Sequence, residues 1–412
     1  MDYRSLLKNV EKTLTAIERS DDVLSTIVNV AEAVVRNFRR ELGIFGGRLY
    51  TRRENLYVLE RGFGRSRHSP EGLSVPADYG PILRAEEEGV VVADLQDPTV
   101  DRELEAKLGV NRFAAVSFGD SRLLLAFDVH PRVRTEDLLL SLGILRTVLD
   151  SKVKTERLEG LIHEARRIQQ SILPKAVPSV GDYDVFGVSV PAELVGGDFY
   201  DFLPLGELTF GAAIADASGH GLLAALLVRD VYVGLRMGIG GDFKIARTIE
   251  RLNRILNKSR LSTKFVSLFY GEFETNGEIV YVNAGHPGPL HLKVASGSFA
   301  ELESTGLVLG PSPKAAYGRR AVKMEAGDVM VLYTDGLTES RDKKNREFGV
   351  VRMKRLVSEF RKRTAREIAE RLVFAAGEWR KPAAQEDDLT VVVIKRTGRD
   401  VGTPAAPGPA SL

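Results

Sequence analysis

Four aspartates stand where apolar segments run into glycine-rich loops. They are Asp198 in Val195-Gly-Gly-Asp-Phe-Tyr-Asp201, Asp216 in Ala213-Ile-Ala-Asp-Ala-Ser-Gly-His-Gly221, Asp335 in Val331-Leu-Tyr-Thr-Asp-Gly336, and Asp387 in Gln385-Glu-Asp-Asp-Leu-Thr390. A carboxylate at the end of an apolar segment is costly unless its charge is compensated. Several brought together repel, and a divalent cation relieves that repulsion. With no cysteine and 6 histidines in the chain, hard oxygen donors favour Mg²⁺ or Mn²⁺ over zinc. Gly196, Gly197, Gly219, Gly221 and Gly336 would let the backbone turn tightly and approach a ligand. Each aspartate alone also has an ordinary reading. Asp198 could be a turn residue, Asp335-Gly336 is a common turn dipeptide, and Asp387 or Asp388 could end a strand.

Those residues need a scaffold that returns them to one place. From about Asp182 to Lys395 the spacing predicts strands over 184–189, 208–215, 265–272, 279–283, 328–334 and 389–394, with helices over 222–237, 243–259, 350–363 and 365–379. Upstream, apolar residues recur at helical spacing from about Ser5 to Arg40. Strand-like segments follow at 43–50 and 55–61, another apolar run covers 90–95, and 112–118 with 121–128 reads as a hairpin around Gly119-Asp120. This order predicts an α+β module. Between the two regions, Leu138, Leu142, Leu145 and Leu149 form one helical stripe and Leu158, Leu161, Ala165, Ile168 and Ile172 another. The phase breaks between Lys152 and Arg157, so either two helical pieces or one stuttered helix is expected, as a coiled-coil seam or a face packed on its own domain. The domains expected are 1–134, a helical linker over 135–177, 178–396, and a disordered Pro-, Gly- and Ala-rich tail over 397–412.

Composition narrows the field. Against 58 Lys+Arg stand 56 Asp+Glu, a formal charge of +2, which gives no reason to expect nucleic acid as partner. Disulfides, zinc–thiolate sites, iron–sulfur clusters and thiol nucleophiles are excluded by the missing cysteine. No apolar stretch reaches the roughly 20 residues of a spanning helix, and Met1–Val10 lacks the apolar core of a signal peptide, so a cytoplasmic protein without membrane partners is expected. The near-neutral charge is an average: residues 341–381 hold 14 basic against 6 acidic side chains. That segment is either a solvated helical face or a docking surface for an acidic phosphoprotein.

Six phrases in order resemble the metal-dependent protein phosphatases of the PPM, or type-2C, superfamily, and most closely their bacterial SpoIIE-like and RsbU-like branch. They are Ala165-Arg-Arg-Ile-Gln-Gln-Ser-Ile-Leu-Pro174, Gly196-Gly-Asp-Phe-Tyr-Asp201, Ala215-Asp-Ala-Ser-Gly-His-Gly221, Asn283-Ala-Gly-His-Pro-Gly-Pro289, Tyr333-Thr-Asp-Gly336 and Asp387-Asp-Leu-Thr390. The resemblance implies an αββα sandwich and two Mn²⁺ or Mg²⁺ ions. Asp216 would bind both ions, with the carbonyl of Ala217, Asp335 and Asp387 as further ligands. Asp198 would bind directly or through water, and Asp216 and Asp198 would carry the catalytic role. It further implies a phosphoserine or phosphothreonine substrate on an anti-sigma-factor antagonist of the STAS type. His220 is a candidate general acid, although its offset from Asp216 differs from the Asp-Gly-His-Gly of eukaryotic relatives. His286 reads as scaffold, Asp201 and Asp388 as supporting residues, and the arginine that grips phosphate in those relatives has no evident counterpart.

The amino-terminal region, through Leu73-Ser-Val-Pro76 and Val90-Val-Val-Ala-Asp94, resembles a GAF sensory domain. That implies an upstream activator or a small ligand there, and a helical linker able to form a homodimer. Two other readings compete. One is a non-catalytic sensor or adaptor that binds a phosphorylated partner. The other is a diguanylate cyclase, because Gly-Gly-Asp-Phe occurs at 196–199 and 240–243; Phe199 and Phe243 stand where that chemistry wants another carboxylate.

Overall fold

A computed structural model describes residues 23–39, 42–69, 72–219, 221–239, 245–259 and 265–398. They belong to two compact units, Met1–Gly160 and Leu161–Leu412. The amino-terminal unit contains α1 (Val23–Phe38), β1 (Ile44–Arg53), β2 (Leu56–Gly64), β3 (Ser74–Pro76), α2 (Gly80–Glu88), β4 (Val90–Asp94), α3 (Arg102–Leu108), β5 (Arg112–Phe118), β6 (Leu123–Val129) and the start of α4 (Thr135–Ile172). Its strands form one antiparallel sheet in the order β3-β2-β1-β6-β5-β4. Alternation sends Leu49, Leu125 and Phe127 to the face covered by α1 and by Leu138, Leu142, Leu145 and Leu149 of α4. Tyr50, Leu124 and Phe113 go to the other face, against Ile82 and Ala85 of α2. The hairpin falls at Gly119-Asp120 as expected, with Gly119, Asp120 and Ser121 all at positive φ.

Helix α4 is continuous across the expected phase break and runs 38 residues. Its first apolar stripe is buried in the amino-terminal core, whereas Leu158, Leu161 and Ile168 of the second are each at least 50% exposed. Residues 5–22 of the stretch expected as helical lie outside the described residues, as do 399–412 of the tail. The Thr397 N–H donates to the Asp182 carbonyl (2.7 Å) and the Gly398 N–H to Asp182 Oδ2 (3.0 Å).

The carboxy-terminal unit alternates strands and helices: β7 (Tyr183–Val190), β8 (Asp198–Pro204), β9 (Thr209–Ala217), α5 (Leu222–Ile239), α6 (Ile245–Lys258), β10 (Val266–Glu274), β11 (Glu278–Ala284), β12 (Leu290–Lys293), β13 (Ser298–Glu301), β14 (Arg320–Lys323), β15 (Val329–Tyr333), α7 (Asp335–Thr338), α8 (Gly349–Phe360), α9 (Ala365–Arg380) and β16 (Leu389–Arg396). Two five-stranded antiparallel sheets result, β14-β11-β10-β9-β8 and β13-β12-β15-β16-β7. Strand β9 shows why its sequence is apolar throughout. Phe210, Ala212 and Ile214 face the other sheet, against Leu332, Val392 and Ile394. Ala213, Ala215 and Ala217 face α5 and α6, against Val228, Val231 and Ile249. A strand buried on both faces loses the polar alternation of a surface strand. On the outer side of the second sheet, Val331, Val391 and Val393 pack against Met353 of α8 and Ile368 and Leu372 of α9. The layers are therefore helix, sheet, sheet, helix, an α+β sandwich. Residues 198–204, which are not among the strands the spacing predicts, form β8, and the short strands β12, β13 and β14 were not expected either.

Candidate metal centre

Strand pairing brings the first two aspartates together. Asp198 opens β8 and is directly opposite Asp216 near the end of β9. Asp335 is the first residue of α7, immediately after β15, and Asp387 precedes β16 by two residues. The sheets are joined at this end by Thr334, whose hydroxyl donates to Asp198 Oδ2 (2.7 Å) and accepts from the Thr390 N–H (2.9 Å). Asp198 is only 5% exposed. Its carboxyl is held well above the usual carboxylate range, first by burial and then by the charges of Asp216 and Asp388. Burial lifts Asp216 to about 7, and Asp335, Asp387 and Asp388 push it the same way. Asp335 is raised by burial and by Glu339.

Buried acids that raise one another's pKa make an oxygen-rich, electrostatically frustrated cluster, the donor set that suits Mg²⁺ or Mn²⁺. Among the described residues no three Asp, Glu or His side chains close around a single point. Backbone carbonyls and water would have to complete any ion's coordination, as is common for Mg²⁺. The carbonyl of Ala217 lies within this region: a Cβ added at Gly197 would press on it at 2.8 Å.

The other acids of these motifs are used for support. Asp388, 4% exposed, accepts from the N–H groups of Ala192 (2.7 Å), Gly197 and Asp198 (3.3 Å). A Cβ at Gly336 would overlap the Asp388 carbonyl oxygen, so this glycine is required by close approach. Asp201 forms a two-pronged ion pair with Arg236 of α5, at 2.9 and 3.0 Å. His286 is buried, its Nδ1 2.8 Å from the Ser267 hydroxyl, and burial pushes its pKa down to about 3, so it is neutral near pH 7. His220 and the second Gly-Gly-Asp-Phe, 240–243, lie outside the described residues. Phe199, after the first, is fully buried among residues of α5 and α6, which leaves the cyclase reading without its second carboxylate.

A cavity of about 230 Å³ adjoins Gly336 and Asp387, with Arg341, Arg380, Ser340 and Gln385 on its walls. Arg341 pairs loosely with Glu347 at 3.4 Å. Both arginines went unremarked in the sequence because they lie in the basic stretch 341–381, where nothing in the spacing distinguishes them.

The raised acids fix a pH dependence. Asp216 titrates near 7 in the ion-free fold against about 3.9 in an unfolded chain. Between those values the folded state binds more protons, so its stability falls as pH rises. A divalent cation favours the ionised form and reverses this. With EDTA, the melting temperature should fall from pH 5 to 8, and the Mn²⁺-induced increase should grow up to about pH 7. Asp216→Asn should flatten both trends; a Mn²⁺ increment largest at pH 5 would contradict this.

Residues 207–397 match the family described as Stage II sporulation protein E (SpoIIE). The chain is 27% identical over 245 residues to the phosphoserine phosphatase RsbU of Bacillus subtilis, covering 58% of this chain and 71% of RsbU. It is 28% identical over 283 residues to protein IcfG of Synechocystis, covering 61% of this chain but only 44% of IcfG. In fold it is similar to the solved SiaA-PP2C domain of Pseudomonas aeruginosa, with a TM-score of 0.52 and 19% identity over 59% of this chain and 98% of that one. Over residues 207–397 the carboxy-terminal unit is similar to the SpoIIE family, its fold is that of a PP2C domain, and the phosphoserine phosphatase relative supports protein serine/threonine phosphatase activity.

Proposed function

We propose that this unit hydrolyses phosphoserine or phosphothreonine on a signalling protein, an anti-sigma-factor antagonist of the STAS type, at a centre that takes two Mn²⁺ or Mg²⁺ ions. The supporting observation is that Asp198 pairs opposite Asp216, and that burial with the charges of Asp335, Asp387 and Asp388 lifts Asp216 to about 7. Two such ions supply charge for the phosphate oxygens and lower the pKa of water. Asp216, Asp335, Asp387 and the Ala217 carbonyl would hold them. Asp198 would orient water or ion, its Oδ2 fixed by the Thr334 hydroxyl. No aspartate need act as nucleophile.

In this reading the cavity beside Asp387 admits the phosphorylated segment, and Arg380 and Arg341 meet its anionic groups. The amino-terminal unit, read as GAF-like, would sense an activator or small ligand and report through α4. The exposed stripe Leu158, Leu161 and Ile168 supports pairing of α4 with a second copy of the chain.

Mn²⁺-dependent phosphate release from a phosphoserine protein should be lost in Asp335→Asn by more than the roughly 10–100-fold that loss of a supporting hydrogen bond costs. A well-folded wild-type chain that releases none, with or without an activator, would favour the adaptor reading. Arg380→Ala should raise KM about 10-fold with kcat little changed, in keeping with the ~1.5–3 kcal/mol of a hydrogen bond to a charged group. An unchanged KM would remove Arg380 from the substrate site. Light scattering should give twice the 45.3 kDa of one chain; a monomer at working concentration would contradict pairing.

A further inference from the structure

The phrase Ala165–Pro174 carries part of the family resemblance. It forms the end of α4, and there Gln169 turns its carboxamide onto a single backbone residue. Its Nε2 donates to the Gly196 carbonyl (2.5 Å) and its Oε1 accepts from the Gly196 N–H (3.0 Å). Glutamine offers both functions at once, whereas an ionised glutamate of the same length can only accept.

The segment Gly196–Asp198 depends on such outside partners. The Gly197 N–H goes to Asp388 Oδ2 and the Gly197 carbonyl accepts from the Ala217 N–H (3.0 Å). The Asp198 N–H also goes to Asp388. With Gln169 added, every backbone donor and acceptor from the Gly196 N–H to the Asp198 N–H has a protein partner, as burial demands. The segment has no side chain of its own until Asp198. A Cβ at Gly196 would overlap the Asp388 carboxylate, and one at Gly197 would crowd the carbonyls of Ala217 and Gly219 at 2.8 and 3.0 Å. Two clamps therefore set where the segment lies: Asp388 from the last strand and Gln169 from α4.

We infer that Gln169 is a positioning residue for the metal centre, holding Gly196–Asp198 so that Asp198 and the Ala217 carbonyl stand in place for divalent cations that it does not itself touch. The loss of Gln169 leaves the Gly196 N–H and C=O to water and frees one side of the segment. This inference rests on the metal-centre reading for its consequence, while the clamp itself does not.

The test uses full-length Gln169→Ala and Gln169→Glu, with Gln170→Ala, an exposed neighbour on the same helix, as control. Hydrogen exchange of a peptide spanning 195–199, measured without divalent ions, reports the clamp. Mn²⁺ binding, read from the electron paramagnetic resonance signal of free Mn²⁺, reports the centre. In Gln169→Ala, exchange should quicken at least about 10-fold and the Mn²⁺ Kd should rise about 10–100-fold. Phosphate release should recover toward wild type when Mn²⁺ is saturating. Gln169→Glu should behave alike, because a carboxylate can accept from the Gly196 N–H but cannot donate to its carbonyl. Gln170→Ala should change neither readout. Unchanged exchange would overturn the clamp. Quickened exchange with an unchanged Mn²⁺ Kd would overturn the positioning role. A wild-type chain that binds no Mn²⁺ would overturn the metal-centre reading instead, with exchange still reporting the clamp separately.

Discussion

The carboxy-terminal unit is organised around one electrostatic difficulty: acids that repel one another are crowded into a low-dielectric space. Asp198 is buried directly opposite Asp216, and Asp216 feels Asp335, Asp387 and Asp388 as well. In isolation such a cluster weakens a fold, because each charge loses water and gains a like neighbour. It persists only where the surrounding structure over-determines it, which is a common mark of a functional site.

The scaffold meets that demand with hydrogen bonds and close approach. Thr334 ties the two sheets at the site by donating to Asp198 and accepting from Thr390. Asp388 spends its carboxylate on three backbone N–H groups, so an acid beside the cluster becomes a brace. Gly196, Gly197 and Gly336 are positions where a Cβ would strike the neighbouring backbone or carboxylate. Behind them, aromatic and aliphatic side chains fill the space between the sheets, Phe210 stacking on Phe273 with ring centroids 5.0 Å apart.

Much of this was legible in the sequence. The period-2 and period-3.6 patterns placed the main strands and helices of the sandwich close to where they lie, and of the four aspartates singled out, Asp198 pairs opposite Asp216 while Asp335 and Asp387 act on its charge. What escaped depended on tertiary partners. Residues 198–204 are not among the strands the spacing predicts, yet the Thr334 hydroxyl donates to Asp198 and Arg236 pairs with Asp201, which lets a strand carry both acids. The break in heptad phase between Lys152 and Arg157 left two helical pieces or one stuttered helix open, and one helix forms, because a change of packing face need not interrupt helical hydrogen bonding. The engagement of Gln169 with Gly196, 27 residues away, leaves no periodic signal at all.

The reading of the aspartates as an ion-binding centre is tested most directly by anomalous diffraction from crystals of the full chain equilibrated with Mn²⁺. Two peaks are expected within coordination distance of Asp216, one of them shared with Asp335 and Asp387 and one with the Ala217 carbonyl. Phosphate release by a chain whose Mn²⁺ peaks lie elsewhere, or which shows none at concentrations that support hydrolysis, would contradict it.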